Sequence, residues 1–269
     1  MKIVSFNVNS VRLRLHQLQE LIDSHKPDII GLQETKVTDE DFPIDAITEM
    51  GYHVEFHGQK THYGVAMMSK EKPIAVQKGF GSDTEDAQRR LIVGDFETGT
   101  GTVRVVNGYF PQGENRSHEV KFPAKEKFYA DLYAYLQSDC QPDQRIAIIG
   151  DFNVAPVDED LGIGEDNVKR WLRTGATCFL PEEREWFDKL VEWGLTDSYR
   201  FIYPNSSDFY SWFDYRSKGF EREPKRGLRI DHVLVTAPLR DRIVDSGIDY
   251  DIRSMEKPSD HCPVWTSFS

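Results

Sequence analysis

Arg145-Ile146-Ala147-Ile148-Ile149-Gly150-Asp151-Phe152-Asn153 is the stretch on which the fold reading turns. The run Ile146–Ile149 is unbroken and apolar, too short for a helix, and closed by a glycine, which reads as a buried strand. It stops abruptly on two polar residues, Asp151 and Asn153. The same pattern recurs along the chain. Asn7 ends Ile3-Val4-Ser5-Phe6, Glu34 ends Ile29-Ile30-Gly31-Leu32-Gln33, and Tyr109 ends Val105-Val106-Asn107-Gly108. Asp231 lies inside Leu228–Thr236, and Asp260-His261 immediately precede the last strand. One acid or amide at a strand end is commonly only a cap for the next turn. Several of them present the same chemistry from rigid elements that face a crevice.

Working outward, strands are expected at Lys2–Phe6, Asp28–Gln33, Tyr63–Ser69, Leu91–Phe96, Thr102–Tyr109, Arg145–Gly150, Leu228–Thr236 and Pro263–Phe268. Helical spacing aligns Val11, Leu15, Leu18 and Ile22, then Phe128, Leu132 and Leu136, then Trp186, Leu190 and Trp193. Pro181-Glu182-Glu183 reads as a helix start. Some strands follow a helix and others a short turn, so mixed sheets with helices outside them are expected. The Gly- and Pro-rich stretches 79–84, 111–118, 156–167 and 219–227 read as surface loops. None has the character of a linker, and residues 1–269 read as one domain.

Bulk properties narrow the class. Three cysteines, Cys140, Cys178 and Cys262, lie far apart without a CxxC spacing, which argues against a disulfide framework or a structural zinc site. The N-terminal MKIVSFNVNS enters a strand directly, with no apolar signal region, and no run is long enough to cross a bilayer. The expected location is cytoplasmic. The net charge of −12 runs against nucleic-acid binding. A site that gathers carboxylates around a cation softens that objection, and so do local basic clusters. The clusters are Gln88-Arg89-Arg90, Lys169-Arg170 with Arg173, Arg216-Ser217-Lys218, and Lys225-Arg226 with Arg229. Each taken alone reads as a solvated face.

Carboxylate and amide oxygens without thiolates suit a hard cation, Mg²⁺ or Mn²⁺. There is no HExxH, GxxxxGKS/T, strand-borne GxGxxG or GxSxG. Metal-assisted hydrolysis of a phosphate ester is the chemistry that remains.

The motifs Leu32-Gln33-Glu34-Thr35-Lys36, Asn107-Gly108-Tyr109-Phe110-Pro111, Gly150-Asp151-Phe152-Asn153, Arg229-Ile230-Asp231 and Ser259-Asp260-His261-Cys262-Pro263-Val264 resemble, in order, those of the endonuclease/exonuclease/phosphatase superfamily. The tract Ser211–Phe220, with Gln88-Arg89-Arg90 and Lys169–Gly175, is similar to its bacterial abasic-site endonuclease branch. The resemblance implies a DNase I-like, four-layer α/β sandwich, in which two packed mixed sheets are flanked by helices. It also implies an Mg²⁺- or Mn²⁺-dependent enzyme acting on double-stranded DNA at abasic sites and 3′ ends, as a monomer. The activities implied are abasic-site endonuclease, 3′→5′ exonuclease and 3′-phosphatase or phosphodiesterase.

By the same resemblance, Glu34 is the leading metal ligand with Asn7 beside it, and Asp151, Asn153 and Asp260 are alternatives. Asp151 would position or deprotonate water, and Asn153 would orient Asp151 or the phosphate. His261, held by Asp231, would donate to a phosphate oxygen or act as base. Tyr109 would assist at the phosphate or leaving oxygen. Trp212, Phe213 and Leu228 are candidates to pack against an abasic sugar, with burial in the core as the competing reading. Arg90, Gln112, Arg216 and Lys218 are candidates for phosphate or groove contacts. Cys262 stands where the family carries a small residue, which suggests sensitivity to oxidation. Two rivals share these motifs: a phosphatase or esterase acting on inositol phosphates or lipids, and a catalytically silent DNA-damage binder.

Overall fold

The computed structural model describes residues 1–269. The chain begins with β1 (Lys2–Asn7), α1 (Leu15–His25), β2 (Ile29–Gln33), α2 (Ile44–Glu49), β3 (His53–His57), β4 (Val65–Ser69) and β5 (Ala75–Lys78). It continues with β6 (Leu91–Thr98), β7 (Gly101–Tyr109), α3 (Lys121–Asp139), β8 (Ile146–Asp151), α4 (Glu165–Thr174) and α5 (Pro181–Trp193). It ends with β9 (Leu195–Asp197), α6 (Ser198–Ile202), β10 (Asp231–Thr236), α7 (Ala237–Arg240), β11 (Ile243–Ile248), α8 (Tyr250–Ser254) and β12 (Val264–Phe268). Two six-stranded mixed sheets result, in the orders β11-β12-β1-β2-β4-β3 and β5-β6-β7-β8-β10-β9.

The period-two alternation of the central strands builds the layers. In β1, Val4 and Phe6 face α1, where Leu18, Leu21 and Ile22 cover them, while Ile3 faces the other sheet. In β8, Ile146 and Ile148 face α3 and α5, while Ala147 and Ile149 meet the first sheet. The order of layers is therefore helix, sheet, sheet, helix, as the resemblance implied. The same parity that turns Ile3, Ala147, Ile149, Val233 and Val235 inward also turns Asn7, Asp151 and Asp231 inward. Buried amides tie the two sheets together. Asn107 Nδ2 donates across the interface to Leu32 O (3.0 Å) and Ala66 O (2.9 Å), and Gln33 Nε2 donates to Asn107 Oδ1 (2.6 Å).

Three expectations are corrected. The strand expected at Leu228–Thr236 starts at Asp231, because Leu228 instead exchanges backbone hydrogen bonds with Trp212. Val11 lies in a separate 3₁₀ turn, Val11–Leu13, ahead of α1. The expected loop 156–167 gives way to α4 at Glu165, a helix that fully buries none of its residues and rests on the core only through Val168 and Trp171. Pro181 does open α5, whose Glu183 side chain accepts from the Leu180 N–H at 2.8 Å.

Candidate active site

Tyr109, Asp151 and Asp231 sit side by side on β7, β8 and β10: Tyr109 pairs with Asp151, and Asp151 with Asp231. Close approach of β7 to β8 requires the glycine before Asp151. Gly150 has φ +151, and a Cβ there would lie 1.9 Å from Gly108 O. Across the gap, the first sheet contributes Asn7 from the end of β1, Glu34 just past β2, and Asp260-His261 before β12. Glu34 has φ +53, a left-handed conformation in which a non-glycine residue is held by its surroundings.

Asn7 joins the halves. Its Nδ2 donates to Glu34 Oε1 (3.1 Å) and to Asp151 Oδ2 (3.0 Å), while its Oδ1 accepts from Asn9 N (3.0 Å). The Asn153 N–H donates to Asp151 Oδ1 at 3.0 Å, and Asn153 Nδ2 to Phe110 O at 3.0 Å. His261 Nδ1 lies 2.8 Å from Asp231 Oδ2, and its Nε2 faces Asp151 Oδ2 at 3.8 Å. Asp260 accepts one bond on each oxygen: Oδ1 from Asn9 Nδ2 (2.8 Å) and Oδ2 from Trp212 Nε1 (3.1 Å).

Burial is the largest influence on Asp151, His261, Tyr109 and Asp260. It raises the Asp151 carboxyl well above its ordinary value; His261 opposes that rise, and Asp231 and Glu34 add to it. Burial alone would lower His261, but Asp231 and then Asp151 outweigh it, and the imidazole holds its proton well above the usual range. Burial, followed by Glu34, raises the Tyr109 phenol, which stays protonated. Burial pushes Asp260 up, but His261, Asn9 and Trp212 together bring it below its ordinary value.

Donor atoms of Glu34, Asp151 and His261 lie within 4.8 Å of one another, the spacing of a metal site. The Nδ1 of His261 is bonded to Asp231, which leaves its Nε2 facing Asp151 Oδ2. The oxygens of Glu34 and Asp151 are the fitting ligands for a hard cation. The surrounding charge agrees: Glu34, Asp151, Asp231 and Asp260 gather at one place, with His261, Lys36 and the buried Arg90 as the neighbouring cations.

The remaining expected residues divide. Arg216 and Lys218 are exposed, Gln112 is exposed with its Nε2 on Thr177 Oγ1 (3.0 Å), and Trp212 is half-buried at the rim. Phe213 and Leu228 are 0% exposed and belong to the core, so in this structure neither has a surface to offer a ligand. Arg90 is likewise buried, its guanidinium between the rings of Tyr63 (4.5 Å) and Tyr109 (4.6 Å). Arg229, counted with a basic cluster, is buried and paired with Asp160 and Asp197. The Cys262 thiol is 0% exposed, and burial raises it well above its ordinary value, so it is shielded from oxidants. Asn9 and Lys36 were missed. Lys36 Nζ donates to Asn9 Oδ1 (2.6 Å) and pairs with Glu34 Oε2 (2.8 Å). Their only sequence signal is an i, i+2 spacing from Asn7 and from Glu34.

The pattern of the Endonuclease/Exonuclease/phosphatase family matches residues 4–261. Exodeoxyribonuclease III of Haemophilus influenzae is 56% identical over 268 residues, covering 100% of both chains. An AP endonuclease from Archaeoglobus fulgidus superposes with a TM-score of 0.91 at 38% identity, covering 100% of this chain and 99% of that one. A 3′ phosphatase from Neisseria, bound to a product DNA hairpin, gives 0.89 at 38% identity with the same coverage. A family pattern over nearly the whole length, with a relative matched end to end, leaves one assignment: the chain belongs to the Endonuclease/Exonuclease/phosphatase family.

Proposed function

We propose that the protein is a DNA-repair nuclease that hydrolyses phosphodiester bonds of double-stranded DNA at abasic sites and 3′ ends, with Mg²⁺ or Mn²⁺ held by Glu34 and Asp151. The observation that carries this reading is the convergence of Glu34, Asp151 and His261 from two facing sheets. The substrate class rests on the relatives, an exodeoxyribonuclease and an AP endonuclease.

Hydrolysis needs a nucleophile freed of its proton and charge stabilisation on the phosphoryl and leaving oxygens. A divalent cation, when bound, supplies Lewis-acid stabilisation of that charge. Asp151, buried at the end of β8 beside Glu34, takes the proton from the attacking water. The Asn7 amide and the Asn153 N–H fix its two oxygens. His261 donates from Nε2 to a non-bridging phosphate oxygen, while Asp231 holds Nδ1–H and stabilises the imidazolium. The protonated Tyr109 phenol donates to the phosphate or leaving oxygen. Arg216, Lys218 and Gln112 meet the DNA backbone and Trp212 meets the abasic sugar. We place the enzyme in the cytoplasm, acting as a monomer.

The test offers an abasic duplex and an inositol polyphosphate, each with Mg²⁺, to the wild type and to Asp151→Asn. The wild type cleaves the duplex. The variant binds the duplex comparably by fluorescence anisotropy and cleaves it about 100-fold more slowly or less. Hydrolysis of the inositol compound alone would overturn the substrate, and undiminished cleavage by the variant would overturn the site.

A further inference from the structure

The turn after β8 carries Asp151 and Asn153, and buried side chains hold it from the face opposite the substrate. Three consecutive carbonyls each accept from one such donor. Tyr129 OH donates to Phe152 O (2.9 Å), Lys125 Nζ to Asn153 O (2.8 Å) and His232 Nε2 to Val154 O (2.8 Å). The His232 proton belongs on Nε2, because Arg229 Nη1, 2.9 Å from Nδ1, can only donate. Asn153 has φ +53. A non-glycine residue keeps that conformation only where its surroundings over-determine it.

Lys125 is the centre of this support. Its ammonium is 0% exposed and has three donors, directed at Glu183 Oε1 (2.5 Å), Asn153 O (2.8 Å) and Gln112 O (3.3 Å). Glu183, also 0% exposed, accepts on its other oxygen from Cys178 N (2.7 Å) and Leu180 N (2.8 Å). Desolvating such a pair offsets most of its attraction, and a well-packed apolar pair of similar volume is commonly as stable. Net stability is therefore a weak reason for an ion pair here. Geometry is a stronger one, because the pair ties α3, the start of α5, the Gln112 loop and the Asn153 turn to one point.

We infer that Lys125, aided by Tyr129 and His232, is a positioning residue that sets the Asp151–Asn153 turn for the reaction. The inference rests on the reading of Asp151 as the group that takes the proton from water. It assigns Lys125 no contact with substrate or cation.

Removing Lys125 alone would strand a buried carboxylate, so the test uses Lys125→Met/Glu183→Leu, with Tyr129→Phe as a milder second variant. Thermal melting, duplex affinity in EDTA, and kcat and KM on an abasic duplex are measured for each. The double variant is expected to melt near the wild type and bind duplex equally, with KM little changed and kcat lower by about 10- to 100-fold. Tyr129→Phe is expected to lower kcat by a smaller factor at unchanged KM. Wild-type kcat in both variants would overturn the inference. If the double variant does not fold, Tyr129→Phe alone decides, and an unchanged kcat there is the overturning result. Asp151→Asn is the control: if it cleaves at full rate, the site reading itself fails, whereas an inactive Asp151→Asn beside a fully active double variant refutes only the role of Lys125.

Discussion

His261 keeps its proton because two carboxylates face it inside the protein: Asp231 at 2.8 Å on one nitrogen and Asp151 at 3.8 Å on the other. Asp231→Asn removes the nearer charge and reverses the hydrogen-bonding demand on Nδ1. Steady-state kinetics should show kcat on an abasic duplex falling on the order of 10²–10⁴-fold, as for a triad acid replaced by its amide. An unchanged kcat would mean that His261 is only a structural histidine. A second buried charge makes a pH-dependent claim. Burial would raise Asp197, but the Arg229 guanidinium, 2.6 Å from its Oδ2, outweighs that and holds the carboxyl far below the usual carboxylate range. A depressed folded-state pKa contributes stability above the unfolded value and loses it as the pH falls below about 4. Asp197→Asn should therefore lose about 3 kcal/mol in urea unfolding at pH 7, with the gap to wild type narrowing toward pH 3. A gap independent of pH would contradict this. The candidate catalytic residues were visible in the sequence, since Glu34, Asp151, Asp231 and His261 each mark the end or edge of an apolar run. Asn9 and Lys36 were not, because they join the site through left-handed backbone, φ +42 and +56, which no residue pattern announces.

Among the elements, legibility followed burial. The eight expected strands all exist, and the four that went unread, β3, β5, β9 and β11, are the four edges of the two sheets. Edge strands are short and half-solvated, so they lack the apolar run that betrays a central strand. β9 has three residues, and β5 is exposed at three of its four positions. α4 escaped because its contact with the core is narrow, Val168 and Trp171 amid charged residues. The segment between Ser211 and Ile230 shows the opposite difficulty. Aromatic and apolar residues there read equally well as DNA contacts or as core, and packing separates them: Phe213 is 0% exposed and T-shaped against Phe220, whereas Trp212 stays at the rim. Phe213→Ala should cost about 3–5 kcal/mol by denaturant unfolding and leave duplex affinity of the folded protein unchanged. Trp212→Ala should show the reverse, weaker binding to an abasic duplex at nearly unchanged stability. Equal affinity losses in the two variants would refute this division.

At the scale of the whole molecule, the candidate catalytic groups belong to neither sheet alone. Asn7, Glu34 and His261 arrive from one, Tyr109, Asp151 and Asp231 from the other, and the buried Gln33–Asn107 bridge lies just behind them. Composition and strand pattern pointed to mixed sheets with outer helices; the pairing of two sheets into four layers came only from the order of motifs, because strand periodicity does not state which sheet a strand joins. The net charge of −12 also finds a local meaning, since Glu34, Asp151, Asp231 and Asp260 converge on one crevice. The account therefore stands or falls on a cation acting between the sheets. The direct measurement is cleavage of one end-labelled duplex carrying an abasic analogue, with EDTA and after Mg²⁺ is restored, read at single-nucleotide resolution. The account predicts no cleavage in EDTA and, with Mg²⁺, one incision at the abasic position that leaves a 3′-hydroxyl. Full turnover in the absence of every divalent ion would contradict it.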